Sequence, residues 1–81
     1  MKVGVSFYSY FKDLTGCSGT EEMMPDGGTV ADLLKCLHER FPKLVQMNRS
    51  TLVAVGVEYQ GRDHVLEDGD QVSLFPPVQG G

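Results

Sequence analysis

A single helix-forming segment stands between two groups of strand-like segments, and it limits the folds open to this chain. Thr29 is a favourable N-cap residue, and Asp32 follows three positions later as in a capping box. Apolar residues then recur with the helical period until Pro42 ends the pattern. The apolar stripe consists of Val30, Leu33, Leu34, Leu37 and Phe41. One face of the helix is therefore predicted to pack on a sheet, while Lys35 and Glu39 face water.

Strand-like patterns occur on both sides of this helix. Residues 2–8 alternate apolar and polar side chains, and residues 21–24 and 52–57 favour two further strands. Residues 59–62 are predicted to form a turn, and residues 71–75 alternate again as a last strand. This order predicts an α+β, ubiquitin-like β-grasp fold, a mixed sheet of four to five strands with one main helix packed across it. The first and last strands are expected to be parallel neighbours at its centre.

Length and charge restrict the classes of function. Eighty-one residues allow one small domain with a modest core and do not favour a deep catalytic cavity. A net charge of −4 without basic runs argues against nucleic acid binding and favours basic grooves on protein partners. No segment has the pattern of a signal peptide or a membrane span, so a cytoplasmic protein with reduced Cys17 and Cys36 is expected. Neither cysteine has metal-site spacing or a local nucleophile signature.

The last residues are predicted to form a slender tail on a globular domain of residues 1–75. Period-2 alternation turns Phe75 away from the core, where an aromatic ring can serve as a contact site. Pro76 and Pro77 end the strand ladder and favour an extended conformation, so residues 76–81 are expected to project. Gly80-Gly81 can enter a narrow cleft because neither residue has a Cβ.

Any chemistry at the tail requires activation from outside. The α-carboxyl of Gly81 is an anion at neutral pH, with a reference pKa of about 3.3–3.7, and is a poor acyl electrophile. The chain contains no phosphate-binding loop, because Gly27-Gly28-Thr29 lacks the P-loop spacing and its lysine. Any nucleotide used must therefore bind to a partner.

These features together carry a resemblance to a known family. The C-terminal pattern is Asp68-Gly69-Asp70, Val72, Phe75-Pro76-Pro77-Val78 and Gly80-Gly81, supported by residues 11–16 and 29–34. With this pattern the chain resembles the MoaD/ThiS family of sulfur-carrier proteins, most closely the MoaD-type small subunits of molybdopterin synthase. The likeness covers nearly the whole chain. One departure is Gly56, where many relatives carry Asn.

The resemblance implies a function as a sulfur carrier in molybdenum cofactor biosynthesis. An adenylating enzyme would use ATP to activate Gly81, a sulfur donor protein would convert it to a thiocarboxylate, and the large synthase subunit would receive the tail. The sulfur would then pass to a pterin precursor. Phe75, Pro76, Pro77, Val78, Gln79 and Gly80 would contact partners, and the chain would bind no metal or cofactor and supply no active site of its own.

Two alternatives share the same activated glycine. Related carriers serve thiazole synthesis, although they usually lack the proline pair. A ubiquitin-like modifier would instead end in an isopeptide bond to a lysine, which an activated Gly81 could also form.

Overall fold

The computed structural model describes residues 1–77 and shows five strands and two α-helices. The elements are β1 (Lys2–Phe7), α1 (Phe11–Thr15), β2 (Gly19–Met23), α2 (Val30–Arg40), a 3₁₀ helix (Pro42–Ser50), β3 (Leu52–Val55), β4 (Glu58–Tyr59) and β5 (Gln71–Phe75). The strands form one sheet in the order β2-β1-β5-β3-β4. β1 and β5 are parallel, and the other neighbouring pairs are antiparallel. The predicted β-grasp architecture is confirmed, with β5 at the centre of the sheet.

The main helix begins as its sequence indicates. The Thr29 hydroxyl accepts a hydrogen bond from the Asp32 N–H at 3.3 Å, and the Asp32 carboxylate accepts one from the Thr29 N–H at 3.0 Å. This capping box satisfies two groups of the first turn that have no partner within the helix. At the other end, the Phe41 N–H donates to the Leu37 carbonyl, and the 3₁₀ helix follows at Pro42. α2 thus has a defined length and a fixed direction.

The core lies between α2 and one face of the sheet. β1 and β5 alternate buried and more exposed side chains, so that each strand turns one face to α2 and the other to solvent. The helix contributes four buried residues, Val30, Leu33, Leu34 and Leu37. The sheet contributes Val3, Val5, Phe7, Val53, Val72 and Leu74. The face of the sheet opposite to α2 is called here the open face. The buried residues of the three helices described, among them Phe11 and Leu44, belong to the core on the α2 side.

Several predicted boundaries were wrong. β2 begins at Gly19 rather than Glu21, and residues 43–50 form most of a 3₁₀ helix rather than a plain connector. β3 ends at Val55 because Gly56 has a φ of +64° and turns the chain. Tyr59, predicted to lie in a turn, belongs to β4. In the part of the chain that is described, no helix is long and apolar enough to cross a membrane.

Candidate functional site

The root of the predicted tail is held by the middle of the sheet. The Tyr8 N–H donates to the Leu74 carbonyl at 3.2 Å, and Phe75 pairs with Leu52 in the antiparallel ladder to β3. Backbone hydrogen bonds from two neighbouring strands therefore fix β5 up to its last residue. Pro76 and Pro77 follow and are half-buried. The chain leaves the sheet at a fixed position.

Three aromatic side chains surround this exit on the open face. The rings of Tyr8 and Phe75 stack with centroids 4.6 Å apart and an interplanar angle of 16°. Tyr59 meets Phe75 edge to face, with a centroid distance of 6.3 Å. Tyr8 is 44% and Tyr59 69% exposed, whereas Phe75 is half-buried between them. Tyr8, Tyr59 and Phe75 are called the aromatic patch below.

The aromatic patch suits protein recognition. Stacked and edge-to-face rings bury apolar area with little freedom left to lose, and the two phenol groups can still donate or accept hydrogen bonds. Tyrosine and other aromatic residues dominate the energetics of many protein interfaces. Because the patch adjoins the last residue of β5, a protein bound there would also lie beside the tail. The arrangement can recognise and position a partner, but its groups offer no activated nucleophile.

The structure tests the predicted orientation of Phe75 but not the predicted roles of the tail residues. Phe75 points away from the core as its alternation indicates, but its ring is partly covered by Tyr8 and Tyr59 rather than freely exposed. Sequence reasoning missed both tyrosines as neighbours of Phe75. Alternation in β1 was the signal available for Tyr8, since it places that side chain on the outer face. The predicted tail residues Val78, Gln79, Gly80 and Gly81 lie outside the described residues.

The cysteines and histidines do not assemble into a reactive site within residues 1–77. Neither cysteine sulfur is hydrogen-bonded to an imidazole there; the Cys17 thiol lies against the Thr15 hydroxyl at 3.8 Å. Burial raises the pKa of the Cys36 thiol, and the nearby Glu22 carboxylate raises it further. A raised pKa keeps the thiol protonated and poorly nucleophilic at neutral pH. No group of three or more His, Cys, Asp or Glu side chains in this part of the chain could hold a metal ion.

Comparisons with known proteins agree with this geometry. The molybdopterin synthase sulfur carrier subunit of Escherichia coli is 33% identical over 81 residues, covering 98% of this chain and 99% of the relative. The small archaeal modifier protein 3 of Haloferax volcanii is 30% identical over 92 residues, and the match covers both chains completely.

Solved structures show the same fold. A Pyrococcus furiosus protein assigned as subunit 1 of molybdopterin converting factor superposes with a TM-score of 0.88 and 31% identity, covering 96% of this chain and 99% of the other. A chain from the complex of subunits 1 and 2 of the Helicobacter pylori molybdopterin-converting factor gives a TM-score of 0.75 and 26% identity, with both chains fully covered.

The family profile extends over almost the entire sequence. The ThiS family matches residues 5–81, from the first strand through the terminal Gly-Gly. A match of this extent, together with the end-to-end likeness to the E. coli carrier, is decisive for membership. The chain belongs to the ThiS family of β-grasp sulfur carriers, and within it to the group of the molybdopterin synthase small subunits.

Proposed function

We propose that this protein carries sulfur on its C-terminal glycine for the synthesis of molybdopterin. A cytoplasmic adenylating partner would use ATP to convert the Gly81 carboxylate to an acyl-adenylate, since AMP is a far better leaving group than oxide. A sulfur donor protein would then replace the AMP and leave a thiocarboxylate. The large synthase subunit would take the loaded tail and pass its sulfur to the pterin precursor.

The observation that carries this proposal is the continuity between the central strand and the tail. β5 ends in Phe75 at the aromatic patch, and six residues follow it in the sequence. Six extended residues reach roughly 20 Å, enough to bring Gly81 into a partner's active site while the patch stays outside. In this division the carrier supplies reach and recognition, and its partners supply catalysis.

The aromatic patch is proposed as the docking surface for the large subunit. The H. pylori relative is known in a complex with its subunit 2, which supports a protein partner for this chain. A stacked pair beside a more exposed tyrosine provides the rigid, apolar centre that interface hot spots require. Residues 76–80 would extend the same contact toward the active site.

Intact-mass measurement tests the proposal. The chain is matured with its adenylating enzyme, ATP and a sulfur source, and the expected product shows one sulfur in place of one oxygen at the C-terminus. Deletion of Gly81 should abolish this change, whereas Gln46→Ala, at an exposed position of the 3₁₀ helix that does not line a proposed binding surface, should not affect it. Sulfur transfer that continues after deletion of Gly81 would refute the proposal.

A modifier function is the second candidate, and the likeness to the H. volcanii modifier protein favours it over the thiazole alternative. A modifier would form isopeptide bonds between Gly81 and lysine side chains of other proteins. Peptide mass spectrometry of trypsin-digested cells producing the tagged chain would then detect a remnant of residues 63–81 on those lysines, because no Lys or Arg follows Arg62 in the sequence. For the thiazole alternative, the co-purifying synthase would be a thiazole enzyme rather than a large molybdopterin synthase subunit.

A further inference from the structure

A second recognition surface lies on the helix side of the molecule, away from the aromatic patch. A cleft of about 440 Å³ runs between α2, the 3₁₀ helix and the loop that contains Arg62. α2 covers one face of the sheet and the aromatic patch lies on the other face. A protein bound at the patch would therefore leave this cleft accessible.

The cleft combines apolar walls with an excess of positive charge. Ala31 and Val45 contribute exposed apolar surface, and Val45 is 53% exposed. Lys35 and Arg62 bring two permanent positive charges, against one carboxylate among the lining residues, that of Glu39. This is a local reversal in a chain whose net charge is −4.

The two cations have no carboxylate partner in the described part of the chain. The ion pairs formed there involve the N-terminal amine, Lys2 and Arg40, and neither Lys35 nor Arg62 takes part. An anion entering the cleft would therefore not have to displace an existing salt bridge. Charge complementarity of this kind also accelerates the encounter with a negatively charged partner.

Arg62 is held in position before any ligand arrives. One guanidinium nitrogen donates to the carbonyls of Asn48 and Thr51 at 2.8 and 2.9 Å, which fastens the side chain across the end of the 3₁₀ helix. The other N–H groups of its guanidinium make no hydrogen bond within residues 1–77 and are left for a ligand. Because the side chain is already ordered, little side-chain entropy would be lost when its remaining N–H groups bind a carboxylate.

His38 adds a group whose charge can respond to an anion. Burial lowers the pKa of His38, and the Arg62 guanidinium lowers it further. The imidazole is therefore neutral at neutral pH and avoids repelling the neighbouring cations. A bound carboxylate would favour the protonated form and raise this pKa.

We propose that this cleft binds an acidic segment of a protein partner. A carboxylate side chain would meet Lys35, His38 and Arg62, while an adjacent apolar side chain would cover Ala31 and Val45. A small inorganic anion could satisfy only the first of these two surfaces, which is why the combination favours a peptide. The partner bound here would be different from the one that holds the tail, and both could bind together.

Nuclear magnetic resonance titration of the ¹⁵N-labelled full chain tests this site. The probe is the acetylated and amidated peptide Leu-Glu-Asp-Leu, compared at equal ionic strength with Leu-Gln-Asn-Leu and with inorganic phosphate. The acidic peptide is expected to give saturable shifts at the amides of Lys35, His38 and Asn48, to raise the pKa of His38, and to bind about tenfold or more tightly than the neutral peptide. The aromatic patch should not respond.

Three variants complete the test. Lys35→Gln and Arg62→Lys should each weaken binding of the acidic peptide severalfold. The second should do so because lysine keeps the charge but loses the anchoring to the Asn48 and Thr51 carbonyls. Lys2→Gln, which removes a cation from β1, is the matched control and should bind as the parent does. Deletion of Gly81 should also leave peptide binding unchanged. The proposal for the cleft is thereby tested independently of the proposed sulfur chemistry at Gly81.

Three results would overturn the proposal. One is the lack of saturable shifts in the cleft, and another is equal binding of the acidic and neutral peptides. The third is phosphate binding as tight as the acidic peptide, which would make the cleft a site for small anions.

Discussion

The rings of Tyr8 and Phe75 are stacked with their centroids 4.6 Å apart, and this contact joins the end of β1 to the end of β5. The two strands are parallel neighbours, so their C-terminal ends lie side by side at the same end of the sheet. Phe75 is the last residue of the central strand and Pro76 follows directly. A protein that binds the aromatic patch therefore also contacts the start of the predicted tail.

Replacement of Phe75 separates its contribution to binding from its contribution to stability. Phe75→Ala is expected to weaken association with the large subunit by about 2 kcal/mol or more, as for an interface hot spot. Since the ring is half-buried, the loss of unfolding free energy should be about 1–2 kcal/mol, below the roughly 3–5 kcal/mol of a fully buried Phe. Calorimetric titration and urea unfolding measure the two effects. Val45→Ala, on the helix side, should change neither by more than about 0.5 kcal/mol.

One combination of results would contradict this prediction. Unimpaired binding of the large subunit by Phe75→Ala, combined with a stability loss of core size, would show that the ring serves the fold alone. The contacts with Tyr8 and Tyr59 contribute to the stability loss of Phe75→Ala, because removing the ring also removes two aromatic pairs.

Gly56 is the one visible departure from the family pattern, and substitutions at this position test its role. Its φ of +64° lies in the left-handed region, and its N–H donates to the Gln71 carbonyl at 2.8 Å. Asn tolerates this region whereas a β-branched residue does not. Gly56→Asn should therefore change the unfolding free energy by no more than about 0.5 kcal/mol, and Gly56→Val should lower it by about 1–2 kcal/mol or more. Equal effects of the two substitutions in urea unfolding would contradict this account.

The ion pair between Arg40 and Glu22 should matter more than its partly exposed position suggests. The Glu22 side chain is 11% exposed and the Arg40 side chain 48%. Arg40→Met would leave a nearly buried carboxylate without its partner, at a cost of about 1–3 kcal/mol. Lys2→Met breaks the ion pair between Lys2 and Glu21, whose side chains are 56% and 68% exposed, respectively. This substitution should lower the free energy of unfolding by less than about 1 kcal/mol.

Thermal or urea unfolding of the two single variants makes this comparison. The double variant Arg40→Met with Glu22→Met should recover part of the loss, because it removes the unpaired charge. Similar small losses for Arg40→Met and Lys2→Met would show that both pairs are surface pairs of little consequence.

The lowered pKa of His38 predicts that the free energy of unfolding depends on pH. Burial, with a contribution from Arg62, places the pKa of His38 in the folded protein below its ordinary value of 6.5. As the pH falls through 6.5, the unfolded chain takes up a proton that the folded chain does not, so stability decreases until the folded pKa is reached. Above that range the effect is absent. Lys35, Glu39 and Arg62 share the cleft with the imidazole.

Unfolding by urea at a series of pH values measures this effect. His38→Gln should flatten the fall in stability just below the ordinary pKa of the group, while Asn48→Ala, which removes a non-titrating side chain from the same cleft, should keep the parental slope. An unchanged slope in His38→Gln would assign the dependence to other groups.

Local patterns were sufficient for the elements whose causes are local. The capping residues Thr29 and Asp32 and the alternation of Val3, Val5 and Phe7 predicted α2 and β1 correctly, because propensity and burial agree there. The end of β3 was misplaced because Val57 continues the β-branched run, and the isolated Gly56 was read as part of the strand rather than as the turn that its positive φ makes. Val57 is in fact 99% exposed.

The site depends on contacts that no local pattern contains. Alternation directed Tyr8 and Phe75 to the outer face, but only the register of β1 against β5 brings their rings together. Tyr59 enters the patch through the pairing of a two-residue strand with β3. The cleft is likewise tertiary, because Arg62 reaches it by binding carbonyls of the 3₁₀ helix.

The central position of β5 has a mechanical consequence. A partner that pulls on the tail applies force to the hydrogen bonds from β5 to β1 and to β3 at the same time. The force acts along the strand direction rather than across it. Hydrogen bonds stretched together in shear must break as a group, unlike those of an edge strand that peels one bond after another. A partner that pulls on the residues after Phe75 would therefore meet the joint resistance of both ladders, and the sheet should stay closed.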